Sequence, residues 1–256
     1  MRFLLYNIAY CTGAPRGDRH NWLSLHRYLH LSRHHVTKVR DFVADLDPDV
    51  VGLLEVDTGS VRARRKNQVS EIARALTHAP YFDNKYGLHS LLRRLPIVRH
   101  QGNAVLTKDS SAHIRHYFTS GIKRLILEVE AGGVTFFLVH LAISRRKREL
   151  QYQSLAQLLG RPSGPVILAG DFNTFGGREE LAELSKATGL QPPFAEFAPT
   201  YPSWAPRHEL DFILCSPAIR VQSYNILDEI RYSDHLPLLL DFTLSPHYSN
   251  VASSDS

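Results

Sequence analysis

The sequence is poor in cysteine and lacks long apolar runs, and each shortage excludes a class of protein. Only Cys11 and Cys215 occur among 256 residues, too few for a scaffold held together by disulfides, so we expect two reduced structural thiols. No run approaches the ~18 consecutive apolar residues that a membrane-spanning helix needs. The short apolar run at the N-terminus ends at Asn7, without the features of a secretory signal. We therefore expect a cytoplasmic protein.

Acidic residues are outnumbered by basic residues, and the resulting positive net charge favours a polyanionic partner. The formal net charge is +5, and the basic residues are concentrated in three stretches. The first lies between Arg16 and Arg40 and includes five histidines, the second covers Arg62 to Lys66, and the third covers Arg145 to Arg148. Such clusters are typical of proteins that bind nucleic acid, an anionic membrane surface or phosphate esters.

Apolar runs of strand length alternate with helical patterns along the chain. Short apolar runs predict strands over 2–9, 50–55, 103–107, 124–129, 134–140, 165–170, 210–215 and 236–244. The 3.6-residue period predicts helices over 31–46, 68–76, 145–159 and 178–188. With no repeat or linker in between, we expect one domain over 1–245, a flexible tail over 246–256, and a mixed α/β fold.

Polar groups stand at the ends of these apolar strands. The set comprises Asn7, Glu55, His140, Asp171, Asn173, Asp211, Asp234 and His235. One buried polar group at a strand end often has only a structural role. Strand ends of one sheet system converge on one rim, however, so eight such groups can meet there.

Hydrolysis of a phosphodiester needs these residue types. Negative charge grows on the phosphate oxygens, and Mg²⁺ or Mn²⁺ held by a few carboxylates stabilises that charge. Glu55 is the natural ligand, with Asn7 and Asp234 as partners. A histidine paired with an aspartate can serve as a general base or stabilise the transition state. His235 is expected to pair in this way with Asp211 or Asp234.

Seven ordered motifs carry a family resemblance. They are Tyr6-Asn7, Leu54-Glu55-Val56, the stretch Gly102 to Leu106, His140-Leu141, Gly170-Asp171-Phe172-Asn173, Leu210 to Ile213, and Ser233-Asp234-His235-Leu236-Pro237. Together they resemble the endonuclease/exonuclease/phosphatase (DNase I-like) superfamily over almost the whole chain. The resemblance implies a four-layer sandwich of two mixed β-sheets with helices on both outer sides. It also implies a metal-dependent phosphoester hydrolase.

The resemblance also implies a role for each matched position. Glu55 corresponds to the metal-binding glutamate, with Asn7 beside it and Asp234 near the metal. The remaining matched residues correspond to those around the scissile phosphate. Asp171 and Asn173 surround the attacking water and the scissile phosphate, His140 contacts the phosphate, and Asp211 orients His235.

Two positions depart from the family pattern. Ala9 stands where the first motif often carries an aspartate, which puts a second metal site there in doubt. The stretch Arg207 to Asp211 lacks the Trp-Cys-Asp-Arg run of inositol phosphatases, so that branch is not expected.

The substrate is predicted from less evidence. Residues 21–35 mix apolar, aromatic and basic side chains, a pattern that suits contact with an anionic membrane, although an ordinary packed helix would give the same pattern. The stretch Pro199 to Trp204 resembles loops of the sphingomyelinase-like, lipid-remodelling branch. We therefore favour a phospholipid or small phosphodiester headgroup as substrate, and assign substrate binding to Asn103, Trp204 and Arg124. The alternatives are a Mg²⁺-dependent nuclease acting on DNA or RNA and a non-catalytic phosphate-binding module, and we expect a monomer.

Overall fold

A computed structural model describes residues 1–13, 31, 33–86, 90–109 and 112–246. Within these ranges the strands are β1 (Arg2–Asn7), β2 (Val50–Asp57), β3 (Ala79–Asn84), β4 (Gln101–Thr107), β5 (His113–Tyr117), β6 (Leu125–Ala131), β7 (Val134–His140), β8 (Val166–Asp171), β9 (Asp211–Cys215), β10 (Ile219–Ile226) and β11 (Leu238–Leu244). They form a six-stranded sheet in the order β10-β11-β1-β2-β4-β3 and a five-stranded sheet in the order β5-β6-β7-β8-β9. Both sheets are mixed, because β1 pairs parallel with β2, and β7 pairs parallel with β8.

The α-helices of the described chain are α1 (Arg33–Leu46), α2 (Gln68–Leu76), α3 (Arg145–Leu159) and α4 (Ala182–Thr188). Asn67 sets the start of α2, since its side chain accepts hydrogen bonds from the backbone N–H groups of Val69 (3.0 Å) and Ser70 (3.3 Å). The predicted helix over 178–188 is divided into a 3-10 turn at Arg178–Leu181 and α4. No helix of the described ranges is long and apolar enough to cross a membrane.

Three apolar clusters bind four layers together. Phe3 and Leu240 of the first sheet pack with Phe136 and Ile167 of the second, so the inner faces of the two sheets are in contact. The outer face of the first sheet packs against α1 and α2. The outer face of the second sheet packs against α3 and α4. This arrangement confirms the four-layer sandwich of two mixed sheets with helices on both outer sides.

Three strands were not predicted, and all three lie at sheet edges. They are β3, β5 and β10, each paired on one side only. An edge strand has fewer covering neighbours, so its side chains alternate with exposed positions or stay polar. In β5, for example, His113, Ile114 and Arg115 are all exposed, and no apolar run marks the strand.

Two arginines of the predicted basic clusters are buried. Arg62 Nε lies 2.8 Å from Asp57 Oδ2, and Arg148 Nη2 lies 2.6 Å from Glu180 Oε2, with both ion pairs shielded from solvent. The prediction that these two arginines form part of a surface for a polyanion is therefore wrong. Most of the first basic cluster, most of the predicted membrane-contact segment 21–35 and the tail after residue 246 lie outside the described residues.

Candidate active site

The two parallel strand pairs place the predicted site residues on one rim. Asn7 and His140 end β1 and β7, and Asp171 ends β8. Asp211 begins β9, which runs antiparallel to β8 and so starts where β8 ends. The sandwich thus brings carboxylate, amide and imidazole groups from both sheets together.

Asp171 lies at the centre of this group. Its Oδ2 accepts a hydrogen bond from Asn7 Nδ2 (3.2 Å) and lies 3.1 Å from His140 Nε2 and 3.9 Å from His235 Nε2. Its Oδ1 accepts a hydrogen bond from the backbone N–H of Asn173 (2.9 Å). Burial raises the pKa of Asp171, but the charges and hydrogen bond of the two histidines outweigh burial and hold that pKa well below its usual range. Asp171 is therefore an ionised acceptor at neutral pH.

His235 and Asp211 form a hydrogen-bonded pair beside Asp171. His235 Nδ1 lies 2.7 Å from Asp211 Oδ2, which also accepts a hydrogen bond from Thr200 Oγ1 (2.6 Å). Burial lowers the pKa of His235, but Asp211 above all, with Asp171, raises it to about 10. His235 is therefore a cation at neutral pH, with its Nε2 on the side of Asp171.

Glu55 leaves the regular geometry of β2. The pairing of β2 with β4 is irregular between Leu53 and Val56, and Glu55 has a φ of +53°. A side chain rarely adopts this left-handed conformation without local support. Here Asn103 Oδ1 accepts a hydrogen bond from the backbone N–H of Glu55 (3.3 Å). The bulge therefore positions Glu55 away from the regular alternation of the strand.

Two lysines that sequence reasoning missed contact this group. Lys85 Nζ lies 3.1 Å from Glu55 Oε1, and Lys123 Nζ contacts His140 Nε2. Burial raises the pKa of Glu55, but Lys85, Lys123 and His140 together lower it to about 2. Burial lowers the pKa of Lys123 to about 8, opposed by Glu55 and reinforced by Lys85. Burial, with Lys123, also lowers the pKa of His140 to about 4.

The two glycines of the predicted motifs are required by close approach of the backbone. A Cβ at Gly170 would lie 1.9 Å from the carbonyl oxygen of Val139 on the neighbouring strand. A Cβ at Gly102 would lie 2.2 Å from the carbonyl oxygen of Asp83. Each glycine precedes a site residue, so these contacts help to fix Asp171 and Asn103 on the rim.

Three further predicted residues lie around the centre. Asn173 has a φ of +53°, and its Nδ2 donates a hydrogen bond to the carbonyl oxygen of Leu141 (3.0 Å). Asp234 accepts a hydrogen bond from Ser233 Oγ (3.2 Å), and burial raises the pKa of Asp234. Trp204 is half-buried. Among the described residues, no hydrogen bond, ion pair or ring contact joins Trp204 to the reacting groups.

The loop before β9 packs against the Ser233-Asp234-His235 motif. The backbone N–H of Ser203 donates a hydrogen bond to the carbonyl oxygen of Asp234 (2.8 Å), and the ring centroid of Tyr201 lies 4.9 Å from that of His235. Arg124, predicted to bind substrate, donates through Nε to the carbonyl oxygen of Gly121 (2.8 Å). Arg124 is the next residue in the sequence after Lys123, and it is Lys123 that contacts His140.

The donor set fits a hard divalent cation near Glu55. Carboxylate and amide oxygens such as those of Glu55, Asn7 and Asp234 are the ligands that Mg²⁺ and Mn²⁺ prefer. Ligand atoms of Asp171, Asp211 and His235 also lie within 4.8 Å of one another. Within that trio His235 Nδ1 and Asp211 Oδ2 are joined by a hydrogen bond (2.7 Å).

The sequence matches the Endonuclease/Exonuclease/phosphatase family over residues 4–235. The chain belongs to this family, whose members hydrolyse phosphoesters. None of the curated protein sequences matches the chain.

Solved structures share the fold. A conserved protein of unknown function from Enterococcus faecalis V583 has a TM-score of 0.69 at 17% identity, over 96% of this chain and 100% of that one. A mannosyl-6-phosphatase from Bacteroides thetaiotaomicron VPI-5482 has a TM-score of 0.67 at 16% identity, over 95% and 100%. The catalytic domain of human Nocturnin, solved with a bound sulfate, has a TM-score of 0.66 at 22% identity, over 96% and 94%.

Proposed function

We propose that the protein is a divalent-metal-dependent phosphodiesterase that acts on a phospholipid or small phosphodiester headgroup. The observation that supports this proposal best is the arrangement around Asp171. An ionised carboxylate is held by Asn7 and His140 and faced by the cationic His235–Asp211 pair, with Glu55 nearby. This set supplies an acceptor for a proton, a donor for a phosphate oxygen and a carboxylate for a metal.

Each group then has a role in in-line attack by water. Asp171, supported by Asn173, orients the water and accepts its proton. His235, held as a cation by Asp211, donates a hydrogen bond to the developing negative charge on the phosphate. His140 contacts a phosphate oxygen, and Lys123 adds positive charge beside it. A bound Mg²⁺ or Mn²⁺, held by Glu55 with Asn7 and Asp234, would neutralise charge on the phosphate oxygens.

A nuclease acting on DNA or RNA is the second candidate. The exposed arginines and lysines at 64–66 and 145–147 favour a phosphate backbone, although the buried Arg62 and Arg148 reduce that surface. The binding-module alternative is disfavoured, because every carboxylate and histidine that catalysis needs lies on the rim.

The test is metal-dependent hydrolysis by the purified protein. Phosphatidylserine vesicles, plasmid DNA, abasic duplex, single-stranded RNA and p-nitrophenyl phosphate are compared in Mg²⁺ and in EDTA. The Glu55→Gln variant should lose at least ~100-fold in rate, since a metal ligand is removed. Glu183→Gln, a change of the same chemistry on an exposed glutamate, serves as the matched control.

Metal binding gives a second readout that does not depend on the substrate. Mg²⁺ should raise the melting temperature of the wild type and of Glu183→Gln, because a ligand that binds the folded state stabilises it. The rise should be much smaller in Glu55→Gln. An equal rise in Glu55→Gln would refute the metal assignment, and cleavage of nucleic acid alone would replace the lipid proposal by the nuclease.

Location, membrane contact and oligomeric state are proposed separately. We propose a cytoplasmic monomer of the sphingomyelinase-like branch, with peripheral membrane contact through residues 21–35. Sedimentation with phosphatidylserine vesicles should be lost when Arg27 and Arg33 are replaced by glutamate. Sedimentation equilibrium should give the mass of one chain.

A further inference from the structure

A cavity of about 570 Å³ opens beside the candidate active site. Two loops, residues 119–124 and 142–144, form its walls, together with Lys85, Tyr86 and Lys147. We call it the side cavity. Lys85 and Lys123 belong to both the side cavity and the active site, since they contact Glu55 and His140. A group attached to the scissile phosphate can therefore extend into this cavity, whose volume suits a small organic group.

The lining of the side cavity carries positive charge only. It contains the cationic residues Lys85, Lys123, Arg124 and Lys147, and no acidic residue is among its described lining residues. Lys85 is compensated by Glu55. In the described part of the chain, no ion pair joins a carboxylate to Arg124 or Lys147. The cavity therefore has an excess of positive charge that favours an anion and opposes a cation.

The two walls are held in place by one buried side chain. Gln151 of α3 donates hydrogen bonds to the carbonyl oxygens of Ser120 (3.2 Å) and Lys123 (2.9 Å) on one wall. Its Oε1 accepts a hydrogen bond from the backbone N–H of Ala142 (2.9 Å) on the other wall. Ser120 Oγ is buried and has no hydrogen-bond partner among the described residues. The cavity is therefore formed before a ligand binds.

We propose that the side cavity binds the alcohol portion of the substrate and selects one that carries a second anionic group, a carboxylate or a phosphate, over a cationic one such as choline. This inference rests on the proposed phosphodiesterase function. It narrows the substrate class to anionic headgroups. A cationic lining that includes Lys123 and Lys147 would repel a trimethylammonium group.

The test of binding uses two ligands of similar size in EDTA, where no metal-dependent turnover consumes them. 3-Phosphoglycerate carries a phosphate and a carboxylate, and phosphocholine carries a phosphate and a trimethylammonium group. Calorimetric titration should show that 3-phosphoglycerate binds about tenfold more tightly than phosphocholine. The partly exposed cations of the cavity attract its carboxylate, whereas they repel the trimethylammonium group of phosphocholine. The preference should fall in Lys147→Glu and persist unchanged in Arg146→Glu, which changes an exposed neighbour that does not line the cavity.

Turnover distinguishes a lipid from a soluble source. Serine and choline headgroups are compared as diacyl lipids in vesicles and as deacylated glycerophosphodiesters in solution, all with Mg²⁺. Preference for the serine headgroup in both forms supports the inference. Preference in the vesicles alone also supports it and identifies a lipid as the substrate, and preference in solution alone supports it and identifies a soluble phosphodiester. Equal or tighter binding of phosphocholine, or an unchanged preference in Lys147→Glu, would overturn it. A binding preference without any hydrolysis would instead refute the proposed function and leave the anion-selective cavity standing.

Discussion

Replacing Arg148 with methionine should strongly destabilise the fold, because Arg148 is a buried cation with a full set of partners. Its side chain is only 2% exposed, and its Nε and Nη2 hold the carboxylate of Glu180, which is 5% exposed, at 2.6 to 2.9 Å. Its Nη1 donates to the carbonyl oxygens of Ala142 (3.1 Å) and Ile143 (2.5 Å). Methionine keeps much of the apolar stem but leaves Glu180 Oε2 and the two carbonyl oxygens without this donor, while Glu180 Oε1 keeps only the backbone N–H of Gly176 (2.9 Å).

The magnitude follows from the uncompensated carboxylate. Removing one partner of a buried ion pair costs about 3–5 kcal/mol, because the other charge stays buried. Replacing Glu180 as well should recover part of this loss. It should not recover all of it, since the carbonyl oxygens of Ala142 and Ile143 still lack a donor, at about 1–3 kcal/mol for a buried unsatisfied group.

Urea unfolding followed by circular dichroism measures the effect. With a slope of about 3 kcal/mol/M, a loss of 3–5 kcal/mol lowers the midpoint by roughly 1–1.7 M. The matched control is Arg145→Met, which removes an exposed i,i+4 pair with Glu149 and should cost under about 0.5 kcal/mol. An Arg148→Met midpoint equal to that of Arg145→Met would show that solvent reaches Glu180, and the reasoning would be refuted.

Two further predictions concern buried groups. Gly170→Ala should destabilise the protein by about 2–3 kcal/mol in the same unfolding assay, because its Cβ would collide with the carbonyl of Val139. Gly164→Ala, where nothing lies within 4 Å of the new Cβ, should be near neutral, and equal midpoints would contradict the collision. Cys11 and Cys215 are buried, and burial raises the pKa of both thiols, that of Cys215 to about 12. Neither should react with Ellman's reagent until guanidinium unfolds the chain, and fast reaction of the native protein would contradict this.

The sequence predicted the central strands, the edge strand β9 and the rim, but it missed the other three edge strands. Central strands are covered on both faces, so β1, β7 and β8 show continuous apolar runs that end in Asn7, His140 and Asp171. The edge strands β3, β5 and β10 lack that signal because their cover comes from one neighbour and from solvent. At these three edges the backbone pairing is present, but the sequence lacks the hydrophobic pattern that would predict a strand.

The two lysines of the site could not be predicted for a related reason. Neither Lys85 nor Lys123 ends an apolar strand, and their two segments are joined by the isolated antiparallel bridge between Tyr86 and Lys123. Such a bridge depends on how the two sheets are placed, which no local pattern records. Arg124, which was predicted to bind substrate, is the neighbour of Lys123 in the sequence and lines the side cavity with it.

The basic clusters show why a count of charges overstates a binding surface. Arg62 and Arg148 stand in runs of three or more basic residues, yet each is buried against a single carboxylate. Glu180 lies 32 residues after Arg148 in the sequence and Asp57 lies 5 residues before Arg62. Neither spacing marks the carboxylate as the partner of that arginine, so the compensation is visible only in the fold. The surface that remains cationic is smaller and includes the part beside the active site.

Backbone strain coincides with the predicted chemistry. Glu55 and Asn173 both have a φ of +53°, although neither is glycine; Glu55 lies inside β2, near its end, and Asn173 follows the end of β8. Regular strand geometry would send these side chains along the alternation of the sheet. The bulge at Glu55 is supported by Asn103, and Asn173 is supported by Leu141. Since strain of about 1–3 kcal/mol persists only where its surroundings enforce it, both residues are held by the fold in positions that stability alone would not select.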